Sequence, residues 1–127
     1  MSAVYWQRFE GFAICVAVIA AMVAIDLAWW WVFALFLLFD MSMAGYVRGP
    51  RLGAFLYNAV HNYGVPAVLG AVALVTDAQW LGVIAFAWAF HVGADRALGY
   101  GLKHDDGFEH THLGLIGRTR RGATPTS

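Results

Sequence analysis

The stretch GFAICVAVIAAMVAI, residues 11–25, holds no charged side chain and is closed by Asp26. A helix over it would be apolar on every face, which suits lipid or a deeply buried core rather than a water-facing surface. Three more such runs follow. Leu27 to Phe39 continues past Asp40 to Val47, Leu52 to Val75 is interrupted by Asn58, His61, Asn62 and Pro66, and Trp80 to Phe90 continues past His91 to about Leu98. Each supplies the roughly 20 residues a spanning helix needs. The expected fold class is all-α: a four-helix transmembrane bundle, up-down-up-down. Its helices are expected near 9–26, 28–47, 52–75 and 79–98, followed by a cytoplasmic loop over 99–117 and a disordered tail over 118–127.

Composition agrees with this reading. Apolar residues make up 61% of the 127 residues and charged residues 13%, about half the charged share of an average soluble protein. The single Cys15 excludes an intrachain disulfide and a thiolate metal cluster. No basic stripe with interleaved aromatics is present, so nucleic acid is excluded as a partner. Membrane lipids are the partners expected, with a homo-oligomer or a larger membrane complex as further arrangements.

The eight cations set the direction. Arg8, Arg48, Arg51, Arg96, Lys103, Arg118, Arg120 and Arg121 precede helix 1, separate helices 2 and 3, or lie at or after the end of helix 4. The other two connections carry only Asp26 and Asp77. The excess of Lys and Arg in cytoplasmic loops then predicts both termini in the cytoplasm and a multi-pass protein of the plasma (inner) membrane. Trp29, Trp30, Trp31 and Trp80 would mark the outer interface, and Tyr5, Trp6, Tyr46 and Tyr100 the inner one. A cleaved signal peptide over residues 1–25 is the rival reading, and Glu10 beside the apolar run speaks against it. Ala13, Ala17, Ala20, Ala21 and Ala24 form a small-residue stripe that would let a second helix approach helix 1 closely.

Ionisable groups inside a span cost about 2.5–3.5 kcal/mol each on insertion scales and call for an explanation. At 1.5 Å per residue, Asp40 and His91 both fall roughly 18 Å below the outer boundary, and His61 falls roughly 15 Å above the inner one. Glu10 enters at the inner end of helix 1. His91 and Asp95 are four residues apart and share a helix face, as do Asn58, His61 and Asn62. Four helices thus send polar groups to one level, which points to a polar chamber of Glu10, Asp40, Asn58, His61, His91 and Asp95. The loop with His104, Asp105, Asp106, Glu109, His110 and His112 would cover it. Plainer readings exist for each member. Glu10 can pair with Arg8 or Arg48, Asp40 with the middle-loop arginines and Asp95 with His91 or Arg96, while the loop histidines can be simply solvated. The shared depth is what these readings leave unexplained.

Several strings resemble one bacterial family: Asp40-x-Ser42-x-x-Gly45-Tyr46, Gly49-Pro50, Tyr57-Asn58-x-x-His61, His91-x-x-x-Asp95-Arg96-x-x-Gly99-Tyr100-Gly101-Leu102-Lys103 and Thr111-His112-Leu113-Gly114. That family is the small membrane family catalogued as domain of unknown function 4260, and the likeness runs from about Arg8 to Gly117. The resemblance implies a compact helical membrane protein and no established activity.

The residues themselves suggest a metal-dependent membrane enzyme acting on a lipid-level substrate. Imidazoles and carboxylates suit a divalent metal such as Zn, Fe or Mn, and an open coordination position activates water or oxygen. His61, His91, Asp95 and His112 are the expected ligands, with Asp40 and Asn58 as further ligands or supports of the cofactor, Glu10 as the candidate proton carrier, and Glu10 and Asp40 as the expected catalytic residues. The alternatives are a bis-His haem b electron-transfer module on His61 and His91, or a non-enzymatic accessory subunit or proton- or cation-handling protein.

Overall fold

A computed structural model describes residues 2–103, 110–112 and 114–116. The loop residues His104, Asp105, Asp106 and Glu109, and the tail read as disordered, lie outside the described residues. The chain folds as α1 (Ala3–Ala24), α2 (Trp31–Ala34), a 3₁₀ helix (Phe36–Arg48), α3 (Pro50–Val60), α4 (Gly64–Thr76) and α5 (Gln79–Leu98). Two two-residue strands, β1 (His110–Thr111) and β2 (Gly114–Leu115), pair antiparallel. These helices make four spans, Ala3–Ala24, Trp31–Arg48, Pro50–Thr76 and Gln79–Leu98, each long and apolar enough to cross a membrane. The chain is therefore built as a multi-pass membrane protein. Arg8, Arg48, Arg51, Arg96 and Lys103 gather towards one end of the bundle, called here the basic end.

The outer shell is apolar because its solvent is lipid: Phe12, Val16, Leu37, Leu74 and Val75 are exposed. Packing concentrates on α5, which touches α1, α2, α4 and the 3₁₀ helix, while α3 packs on the 3₁₀ helix. The small-residue stripe on α1 is displaced from its expected role. Ala13, Ala17, Ala20 and Ala24 are exposed, and Gly11, Val18 and Met22 are buried instead.

The second span departs from the continuous helix expected over 28–47. Only Trp31–Ala34 is α-helical, and thirteen residues from Phe36 to Arg48 are wound more tightly. At about 2.0 Å per residue the 3₁₀ segment reaches about 26 Å, so an 18-residue span covers roughly the 30 Å of hydrocarbon that α5 covers with 20 residues. With three residues per turn, side chains eclipse in rows. The row Phe39, Ser42 and Gly45 faces the protein, and Leu38, Met41, Ala44 and Val47 are exposed. The third row, Leu37, Asp40, Met43 and Tyr46, runs along the seam between them.

The third span begins at Pro50, after Gly49 turns with φ +130°, a conformation glycine adopts without steric cost. It is broken over His61–Tyr63 rather than continuous over 52–75. Every peptide group freed at that depth needs a partner, since lipid offers none. Asn62 Nδ2 donates to the carbonyls of Asn58 and Ala59, both at 2.8 Å. Its Oδ1 accepts from the backbone of Gly64 and Val65, which caps α4. Trp88 Nε1 donates to the Val60 carbonyl and Arg96 Nη2 to that of His61 at 2.8 Å. Pro66 has no N–H to offer Asn62, so the break sits where a continuous helix would already lack a bond.

Candidate metal centre

The break turns His61 into the middle of the bundle. Its Nδ1–H donates to the Tyr57 carbonyl at 2.9 Å, which leaves the lone pair on Nε2 pointing away from its own helix. The Tyr57 ring stacks on the imidazole at 3.7 Å and 5° between planes. Opposite, α5 supplies His91 and Asp95 one turn apart, and the seam row of the 3₁₀ helix supplies Asp40. His91 is walled by Phe36 and Phe39, with ring centroids 4.4 and 5.5 Å away.

Four donor atoms meet. His61 Nε2 lies 3.0 Å from His91 Nε2, 3.3 Å from Asp40 Oδ1 and 3.3 Å from Asp95 Oδ2. His91 Nε2 lies 3.2 Å from Asp40 Oδ1 and 3.4 Å from Asp95 Oδ2. One ligand atom from each of the four residues falls within 4.8 Å of all the others. Ligands at about 2.0–2.2 Å from a metal are separated by about 3.3–3.6 Å in a tetrahedron and about 3 Å between neighbours in an octahedron. The five edges of 3.0–3.4 Å above fall in that range. A haem does not fit: two axial imidazole nitrogens stand about 4 Å apart across the iron with a macrocycle between, whereas here two carboxylates crowd a 3.0 Å gap.

Charge makes the same point. Two carboxylates face two nitrogens, one of which is a fixed lone pair. Tyr57 Oη donates to Asp95 at 3.4 Å, and His91 Nδ1 has no hydrogen-bond partner among the described residues. The convergence of lone pairs is stable only around protons or a cation.

The remaining candidates stand elsewhere. Glu10 is exposed on α1 and outside the cluster. Asn58 clasps the backbone of Lys103, donating to its carbonyl at 2.8 Å and accepting from its N–H at 2.6 Å. His112 has both ring nitrogens engaged: Nδ1 accepts from Leu102 N–H at 2.7 Å and Nε2 donates to Gln7 Oε1 at 3.2 Å. Sequence reading missed Tyr57, Trp88, Arg96 and Lys103 as supports. The run Asn58…His61-Asn62…Pro66 did carry the signal of a broken helix.

Lys103 closes the basic end of the cluster. It is 4% exposed, with Nζ 4.8 Å from the centroid of the Tyr57 ring. Burial pushes its ammonium down to about 8 from the ordinary 10.5, against the pull of Asp95. The unfolded chain therefore binds the extra proton between about pH 8 and 10.5, so stability rises with pH across that window. The unfolding midpoint in detergent should climb from pH 7.5 to 9.5, and Lys103→Met should flatten the climb. An equal slope in both proteins refutes this.

A family model described as domain of unknown function (DUF4260) matches residues 4–116. The chain belongs to that family. No curated protein and no solved structure matches it. All four residues of the cluster, and Tyr57, Arg96 and Lys103 around it, lie within the DUF4260 match.

Proposed function

We propose that this DUF4260 protein is a metal-dependent enzyme of the bacterial inner membrane acting on a lipid-level substrate. Asp40, His61, His91 and Asp95 hold one divalent first-row metal. The observation that carries the reading is the convergence of four donor atoms at 3.0–3.4 Å around a histidine whose other nitrogen is committed to a backbone carbonyl, the arrangement that orients metal-bound imidazoles. A divalent cation balances the two carboxylates, which is the cheapest way to keep both ionised inside a span. Glu10, Asn58 and His112 have no part in binding it. Bound metal of this kind supplies a Lewis acid and a polarised water or substrate oxygen. The chain's own residues hold the ligand atoms, exclude bulk water through Phe36, Phe39 and Tyr57, and present Asp40 as the carboxylate able to shift between ligand and proton acceptor. The basic end faces the cytoplasm, as the placement of the cations implies.

His91 Nε2–H can donate to His61 Nε2 across the 3.0 Å gap, and metal uptake would displace that proton. The deciding experiment is elemental analysis of protein purified without chelators. Expected is about one first-row metal per chain, gone in Asp95→Ala. Protein that stays metal-free after addition of Zn, Mn and Fe(II) refutes the metal reading and favours a proton-handling cluster.

A further inference from the structure

The cluster is shut on nearly every side. His61 and His91 have fully buried side chains and Asp95 is 12% exposed, whereas Asp40 is 35% exposed. Towards the basic end the way is blocked by Lys103 over the Tyr57 ring, pinned by its two bonds with Asn58. The exposed carboxylate of Asp40 is not at a membrane boundary. Asp40 lies eight residues before Arg48, about 16 Å into the span at the 3₁₀ rise. Its row neighbours are Leu37 and Met43, and the adjoining exposed row is Leu38, Met41, Ala44 and Val47. A carboxylate therefore reaches the surface in the middle of an apolar, lipid-facing band.

We infer that the substrate reaches the cluster sideways, out of the bilayer, past the exposed carboxylate of Asp40 between Leu37 and Met43. The substrate class is then a membrane-dissolved hydrophobic molecule whose reacting group lies deep among the acyl chains, rather than a soluble molecule or a headgroup at the interface. This rests on the metal reading for its chemistry. The route is a property of the fold and is testable without metal.

In nanodiscs both aqueous faces are open, so metal-loaded protein can be challenged with EDTA or with the lipid-soluble chelator 1,10-phenanthroline. Phenanthroline should strip the metal at least tenfold faster than EDTA at matched chelating strength. Leu37→Trp and Met43→Trp should slow it severalfold at unchanged metal content, and Val47→Trp in the neighbouring row should not. Equal rates for the two chelators, or no effect of the flanking tryptophans, overturns the lateral route.

A second measurement stands apart from metal binding. A nitroxide on Asp40→Cys, in a Cys15→Ser background, should be relaxed strongly by oxygen, which concentrates in lipid, and weakly by a water-soluble nickel chelate. Relaxation mainly by nickel, or shielding from both, overturns the proposal. Wild-type protein that takes up no metal sinks the metal reading alone, and the nitroxide then decides the route by itself.

Discussion

Replacing His61 with alanine is expected to abolish the part of the protein's stability that depends on divalent metal. Metal that binds only the folded state adds about 4 kcal/mol at a thousandfold excess over its dissociation constant. For a chain of this size that raises the unfolding midpoint by roughly 10 °C or more. His61→Ala removes one of four ligands and leaves His91 Nε2 at 3.2 Å from Asp40 Oδ1 and 3.4 Å from Asp95 Oδ2. It also removes the ring stacked on Tyr57, so the metal-free midpoint falls as well. The diagnostic quantity is the difference between scans with and without metal, which should vanish. Asn58→Ala touches a residue of the notional chamber that clasps Lys103 instead, and it should keep the full metal-dependent difference. Tyr57→Phe keeps the carbonyl that orients His61 and loses the 3.4 Å bond to Asp95. Its cost should be about tenfold in affinity, the lower end for outer supports. A metal-dependent rise that persists in His61→Ala would show that the histidine is a packing residue.

The sequence was legible to the extent that membrane physics is local. Apolar length announced the four spans, and depth counting brought Asp40, His61 and His91 to one level because helical rise converts residue number into distance. His91 and Asp95 share a face by spacing alone. The positions that proved illegible depend on long-range partners. Nothing within a few residues of Asn58 says that its amide will grip Lys103, 45 residues on. His112 likewise is spent on Leu102 and Gln7, the latter 105 residues away. Arg96 looked like a partner for its neighbour Asp95, yet its guanidinium serves the carbonyls of His61 and Tyr100. That use makes sense only once the third span is known to be broken. The 3₁₀ winding of the second span has no cap or proline to announce it, and its clearest rationale is the reach it gives a short segment.

The second large effect is expected where α1 crosses α5, because the cluster's two α5 ligands flank that crossing. Gly93 lies between His91 and Asp95, and a Cβ on Gly11 would stand 2.5 Å from the Gly93 carbonyl and 2.6 Å from Arg96 Cβ. Neither atom can swing aside, since one is backbone and the other is fixed to it. Gly11→Ala must therefore push α5 away from α1, an overpacking cost of about 1–3 kcal/mol or more. The displacement carries His91, Asp95 and the Arg96 bond to the His61 carbonyl with it, so metal affinity should fall together with the unfolding midpoint. Gly70 provides the contrast. An added Cβ there meets Ala85 Cβ at an ordinary 3.8 Å, and alanine in a helix interior gains up to about 1 kcal/mol over glycine. Gly70→Ala is thus expected to be neutral or stabilising and to bind metal normally. Unfolding midpoints and metal titrations of the two variants check both halves of the expectation. If Gly11→Ala matches Gly70→Ala in stability, the helices do not approach backbone to backbone. If it loses stability but keeps full metal affinity, the cluster is not held in place by the crossing.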